Sequence, residues 1–253
     1  VGAKTALLAF ADGDIRPALL GATRSERAET EALVSRVHPG YLVEPADSST
    51  LFEVVYPPDD LTYATTLAGA ELYCDRRLAL DRPSELPEHL RRVGAGRRIV
   101  MHGMHSVVDA LAFAVWEDGE LIRSLSLSPN GGIMEDIGEP HEFELPYWAG
   151  EHPVEPVPGW PNQHPYPLPF HPLDLGEEAL RALFGFVVEG RPEPGDVDAD
   201  AVHVYGFRVT DPTGEEQAAR EALYAQVLQA MGAPRRFRMG PDGTLHEIGA
   251  NDN

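Results

Sequence analysis

Lysine is almost missing from this chain: Lys4 stands alone against nineteen arginines. Schiff-base chemistry, the kinase phosphate-binding lysine, the haloacid-dehalogenase lysine and the complete P-loop all need a lysine well inside the chain. Here each of those roles falls on Lys4 or on nothing, so no lysine-bound cofactor is expected. Cysteine is equally scarce. Cys74 is the only one, which rules out an intrachain disulfide and a thiolate zinc site within one chain, and fits a reducing cytoplasm. Long hydrophobic runs are missing too. The apolar run 6–11 is too short for a signal segment and closes at Asp12, and no run approaches the roughly 20 apolar residues of a membrane helix. Positive charge is in deficit: 20 Lys and Arg against 41 Asp and Glu leave a formal −21. That surface repels phosphate backbones and anionic lipid, so neither nucleic acid nor membrane is expected as a partner.

What remains is an ordinary globular composition, 43% hydrophobic over 253 residues, enough for a sizeable core. Residues 5–11 (TALLAFA) form a short apolar run ended by Asp12-Gly13-Asp14, the pattern of a buried central strand and a turn. Helices are expected at 15–20 and 25–37, the latter stopped by His38-Pro39-Gly40. Strands are expected at 41–44, 70–74 and 97–101, and a helix at 84–92; 51–55 fits either state. The best-defined unit is 111–128, two strand-like runs around Glu117-Asp118-Gly119-Glu120, where Asp-Gly supplies the positive φ angles of a type I′ turn. Its second strand alternates aliphatic residues with Ser124, Ser126 and Ser128, which predicts a half-exposed or cavity-facing sheet. From 140 to 172, ten prolines are interleaved with aromatic residues, which predicts an irregular wrapping arm. A helix at 177–188, a polar linker at 191–200, a strand at 202–209, a helix at 214–231 and a hairpin at 237–248 complete the reading. The expected class is α+β: a mixed, mainly antiparallel sheet with flanking helices and the proline-rich arm. The expected division is a core at 1–190, the linker at 191–200 and an extension at 201–253 packed on the core.

At HSVVDALAFAVWEDGELIRSLSLSPNGGIMEDIGEP, then ELPYWAGEHPVEP, then YPLPFHPLDLGEEALRALFGFVVEG, the chain resembles an uncharacterised actinobacterial family filed only as a domain of unknown function. The opening GAKTALLAFADGD fits the same family, and the resemblance covers about 2–190. It implies a cytoplasmic protein of a high-GC bacterium and carries no catalytic residues.

Few constellations can carry chemistry. Gly2-Ala3-Lys4-Thr5 mimics the tail of a P-loop but lacks the preceding glycines, and a strand follows where a helix should begin. Asp12 and Asp14 at a strand end suit Mg²⁺, but Ile15 and Arg16 break the phosphatase motif. His102 and His105 are the histidine pair at ligand-like spacing. Were strand 97–101 parallel to the first, they would converge with Asp12 and Asp14 into a divalent-metal site. Were the segment extended through 105, the two rings would point to opposite faces. Arg91, Arg92, Arg97 and Arg98 form a candidate anion site. In the arm, Tyr147, Trp148 and Trp160 are candidate partner-binding residues, because interfaces favour such rings; the competing reading has the arm covering its own core. Beside Cys74, Asp75 raises the thiol pKa and Arg76 opposes it. Two functions follow. The first is a protein- or ligand-binding, regulatory module without catalytic activity. The second is a metal-assisted hydrolase using Asp12, Asp14, His102 and His105.

Overall fold

A computed structural model describes residues 2–156, 164–231, 236–239 and 245–248. The apolar run at the start becomes β1 (Lys4–Ala11), the fifth strand of a nine-stranded antiparallel sheet. Its period-2 alternation divides the core in two. Leu7, Ala9 and Ala11 face one layer; Ala6, Leu8 and Phe10 face the other.

The remaining strands are β2 (Leu42–Thr50), β3 (Leu61–Leu67), β4 (Ala70–Cys74), β5 (Arg98–His105), β6 (Ala110–Glu117), β7 (Glu120–Ser128), β8 (Gly132–Ile137) and β9 (His203–Thr210). Their spatial order is β2-β9-β3-β4-β1-β5-β6-β7-β8. On the first face lie α1 (Arg16–Leu20), α3 (Leu51–Val54), α5 (Leu145–Trp148) and α6 (Pro172–Phe184). On the second lie α2 (Arg27–Val37), α4 (Glu88–Val93) and the 3-10 turns Arg76–Leu78 and Pro83–Glu85. The α+β class and the antiparallel sheet match the expectation.

Local chemistry explains most boundaries. Asp118 (φ 51°) and Gly119 (φ 84°) are both left-handed, as the type I′ turn between β6 and β7 requires. Helix α6 begins at Pro172, earlier than its apolar spacing suggested. A proline at the first helical position loses no hydrogen bond, and His171 caps the Leu173 amide. The helix buries Leu175, Leu180, Leu183 and Phe184, each contributing about 1.5–3 kcal/mol, and Gly185 in the left-handed region ends it.

Two corrections concern the sheet. The serine face of β7 is covered, not solvated. Ser124 and Ser126 are fully buried; they donate to Glu135 and to the Asp81 carbonyl, under the segment between the two 3-10 turns. And β9 lies inside the sheet, between β2 and β3, beyond the linker at 191–200. The chain separates into Val1–Thr210 and Asp211–Asn253, so the break follows this strand. The second unit holds α7 (Glu215–Met231) and the antiparallel pair β10 (Arg236–Met239) and β11 (Leu245–Ile248).

The arm wraps the first face. Arg123 and Glu144 are both completely buried and paired, with Nη2 2.6 Å and Nε 3.0 Å from the carboxylate oxygens. Arg123 also pairs with Asp136 and donates to the carbonyls of Ile137 and Gly138. Glu144 accepts in addition from the Trp148 indole and the His141 amide. A buried charge pair persists only when its remaining donors and acceptors are met in this way.

Candidate functional site

The expected metal site does not assemble. β1 and β5 pair antiparallel, with Ala11 opposite Arg98 and Lys4 opposite His105. Asp12 and Asp14 therefore lie past one end of the strand pair and His105 at the other, about 23 Å apart at 3.3 Å per residue. The segment stays extended through His105, so His102 and His105 point to opposite faces. Asp12 pairs with Arg97 at 3.2 Å, and Asp14 accepts the Arg16 amide at the start of α1. Among the described residues no three His, Cys, Asp or Glu side chains are grouped to hold a metal ion.

His102 is a core residue. Its Nε2–H donates to the Gly176 carbonyl at 2.9 Å, which leaves Nδ1 to accept from Thr5 Oγ1 at 2.8 Å. Burial pushes its pKa down to about 4, against the opposing pull of the Gly176 carbonyl.

The anion site and the aromatic surface are not assembled either. Arg92 pairs with Glu88, Arg97 with Glu71 and Asp12, and Arg98 with Glu117, while Arg91 is exposed. Arg92, Arg97 and Arg98 are thus held by separate carboxylates. Tyr147 is buried and donates to the Asp174 carbonyl; Trp148 meets the Phe170 ring edge-on at 5.0 Å. The described arm thus covers its own core, and Trp160 lies outside the described residues.

A different group of residues is brought together at the end of β4. Tyr73 points to the second face, and Asp75, two residues on, begins the 3-10 turn by accepting the Arg77 amide at 2.8 Å. The Asp75 carboxylate is 1% exposed. It accepts from Thr62 on β3, from Tyr73 Oη at 2.7 Å and from Arg77 Nη1 at 3.0 Å. Burial alone would raise this acid. The His38 dipole, the Arg77 charge, Thr62 and the Arg77 amide outweigh burial and hold the pKa at about 2. Burial and the Asp75 charge push the Tyr73 phenol well above its ordinary value, so Tyr73 remains a donor.

His38 completes the chain. It terminates α2, where its amide bonds the Val34 carbonyl, and Pro39-Gly40 turns the backbone so that Tyr41 follows on the same side. Its Nε2 contacts Tyr73 Oη and lies 3.6 Å from Asp75 Oδ2, so the hydrogen bond goes to the tyrosine and the carboxylate acts through it. Since Tyr73 gives its own proton to Asp75, the phenol oxygen accepts from His38 Nε2–H. That makes Nε2 the nitrogen that donates to Tyr73 and leaves Nδ1 as the other polar atom of the ring.

His38 and Tyr73 of this chain line a cleft of about 320 Å³ between α2, the 3-10 turn and α4. His38, Tyr41, Tyr73, Arg77, His89 and Leu90 line it. Tyr41 and His38 rings are 5.3 Å apart, and the Arg77 guanidinium lies 5.8 Å from the Tyr41 ring centre. A concave site with aromatic walls and a few fixed polar groups is the usual form of a small-molecule site.

In the sequence His38-Pro39-Gly40 reads only as a helix stop, and Tyr73 and Asp75 only as neighbours of Cys74. The available signal was Tyr-x-Asp followed by Arg at a strand end: period 2 puts the phenol and carboxylate on one side. Cys74, on the other face, is fully buried, and burial first and Asp75 second push its thiol far above the ordinary range.

A family model matches residues 5–207 and describes a family of unknown function, DUF6928. The match runs past 190, into β9, as the sheet topology demands. No curated protein and no solved structure matches.

Proposed function

The chain belongs to that family of unknown function, whose description names no activity, and from the site alone we propose a small-molecule-binding protein without catalytic activity. The recognition site in this reading is the cleft walled by His38, Tyr41, Tyr73, Arg77 and His89. The observation that carries it is the buried Asp75 carboxylate, which locks Tyr73 and, through it, the His38 ring at the cleft wall. A ring positioned by a buried acid is prepared to accept a hydrogen bond in a defined direction. The ligand class that fits is a planar ring carrying an N–H or O–H donor. Its ring packs on Tyr41 and its donor meets His38 Nδ1.

The same reading places the protein in the cytoplasm of an actinobacterium. It rests on a single buried cysteine, the preference for arginine over lysine, and the family resemblance. Among the described residues no helix is long and apolar enough to cross a membrane. The charge of −21 argues against nucleic acid as the ligand.

The test is a ligand-observed NMR screen of planar azoles and phenols against the wild-type chain, His38→Ala and Tyr73→Phe. The reading expects hits that compete for one site, vanish in His38→Ala and weaken about tenfold in Tyr73→Phe, a loss of about 1.4 kcal/mol. Hits that bind both folded variants as they bind wild type, or no hits at all, would sink it.

A further inference from the structure

On the far side of the Arg76–Leu78 turn, the first residues of β1 run past the end of β4, whose pairing stops at Leu7 opposite Cys74. The Ala6 amide bonds the Val55 carbonyl there, and the Ala6 carbonyl accepts the Asp75 amide. Lys4, His105 and Ala110 are aligned across β1, β5 and β6, and Gly103 is opposite Ala112. These residues share one face, and three of the five have side chains no larger than a methyl group. Gly103, His105, Ala110 and Ala112 line a pocket of about 210 Å³, enclosed further by Tyr56, Leu80, Val108 and Met134.

Basic groups gather around Tyr56, one wall of this pocket, in a strongly acidic protein. Lys4 Nζ is 5.7 Å and the Arg76 guanidinium 4.6 Å from the Tyr56 ring centre, and the His105 ring meets Tyr56 edge-on at 5.6 Å. Beyond its own backbone, buried Nδ1 of His105 has no hydrogen-bond partner among the described residues, and neither has Nε of Arg76. Lys4 has no ion pair among them. Burial lowers the His105 pKa, and Lys4 and Arg76 lower it further. Asp59 pairs with Arg76 at 3.2 Å, and Asp81 lies on the pocket wall.

We propose that this pocket binds a small apolar monocarboxylate of benzoate size, its body over Gly103 and Ala112 and its carboxylate toward Lys4, His105 and Arg76. The room suffices: an apolar cavity of about 150 Å³ holds benzene, and this pocket adds space for a carboxylate at its mouth. Exposed Val108 extends the apolar rim. The site is separate from the His38 cleft and does not depend on that reading.

The experiment is calorimetric titration of the full chain with benzoate, benzyl alcohol and acetate, repeated on Lys4→Gln, Gly103→Ala and His38→Ala. Gly103→Ala is tolerated by the fold, because its new methyl group meets nothing nearer than the Ala112 carbonyl at 3.8 Å, yet it occupies the floor of the pocket. Saturable benzoate binding is expected, about tenfold tighter than benzyl alcohol or acetate. It should weaken about tenfold in Lys4→Gln, measurably in Gly103→Ala, and not in His38→Ala. Three results would overturn the proposal: no saturable benzoate binding, benzyl alcohol or acetate binding as tightly as benzoate, or Lys4→Gln and Gly103→Ala titrating like wild type.

Discussion

Acidification should destabilise this protein through His102 well before its carboxylates protonate. The ring is fully buried and satisfied only in its neutral form, between Thr5 and Gly176, and its pKa falls from the ordinary 6.5 to about 4. The unfolded chain therefore binds the proton more readily than the folded one, and stability rises with pH between about 4 and 6.5. The sequence pI of about 4.7 sets a practical floor of about pH 5.2, above which the chain keeps a net negative charge. Between pH 7.5 and 5.2 the linkage integral for one such histidine is about 1.7 kcal/mol, with a slope of about 1.2 kcal/mol per pH unit at the acid end. Asp75 does not interfere. Its folded pKa of about 2 is below the ordinary 3.8, so its contribution is complete above 3.8 and is lost only as pH falls toward 2. The assay is urea unfolding followed by far-UV circular dichroism at several pH values in this window, for wild type and His102→Gln. His105, His141 and His203 also have lowered values, but they are common to both proteins and cancel in the difference. The pH dependence of the variant should be shallower by about 1.7 kcal/mol over the window. Parallel curves would refute the reasoning.

Two further outcomes test the packing. Glu144→Ala removes the partner of a completely buried guanidinium and should cost about 3–5 kcal/mol in urea unfolding; a loss below about 1 kcal/mol would mean that Asp136 and the two carbonyls suffice to hold Arg123. Cys74 should react with a thiol reagent only at the rate of unfolding, since it is buried and its thiolate strongly disfavoured; stoichiometric labelling of the native protein within seconds would contradict its placement.

The elements written in local chemistry were legible. The β1 run, the Asp-Gly hairpin, the strand at 70–74 and the helices around 27–37 and 215–231 all stand where residue pattern put them. Two strands were not. β3 (LTYATTL) buries Thr62 and Thr65 among its apolar residues, so it shows no clean alternation, and β8 (GIMEDI) is a short edge strand with one buried residue. The serine face of β7 looked like a solvent face because the side chains are polar; only the fold reveals the loop and Glu135 that satisfy them. The candidate site was less legible still. His38, Thr62, Tyr73 and Asp75 come from three separate elements, and a hydrogen-bonded chain between them leaves no periodicity to read. The metal hypothesis required parallel strands, and strand direction is decided by crossover connections rather than by either strand's own residues.

The position of β9 has a consequence for the order of events during synthesis. Residues 42–50 and 61–67 leave the ribosome long before 203–210, yet β2 and β3 do not pair with each other; β3 pairs with β4 on one side, and its other side and the whole of β2 wait for β9 to enter between them. Until then β3 is an open edge and β2 has no sheet to join, a condition in which nascent chains recruit chaperones or pair with one another. A contiguous block, β3-β4-β1-β5-β6-β7-β8, completes its internal pairing from residues before 138. The folding of this protein should therefore be biphasic on a stalled nascent chain, with a protease-resistant block forming early and the β2-β9-β3 edge closing last.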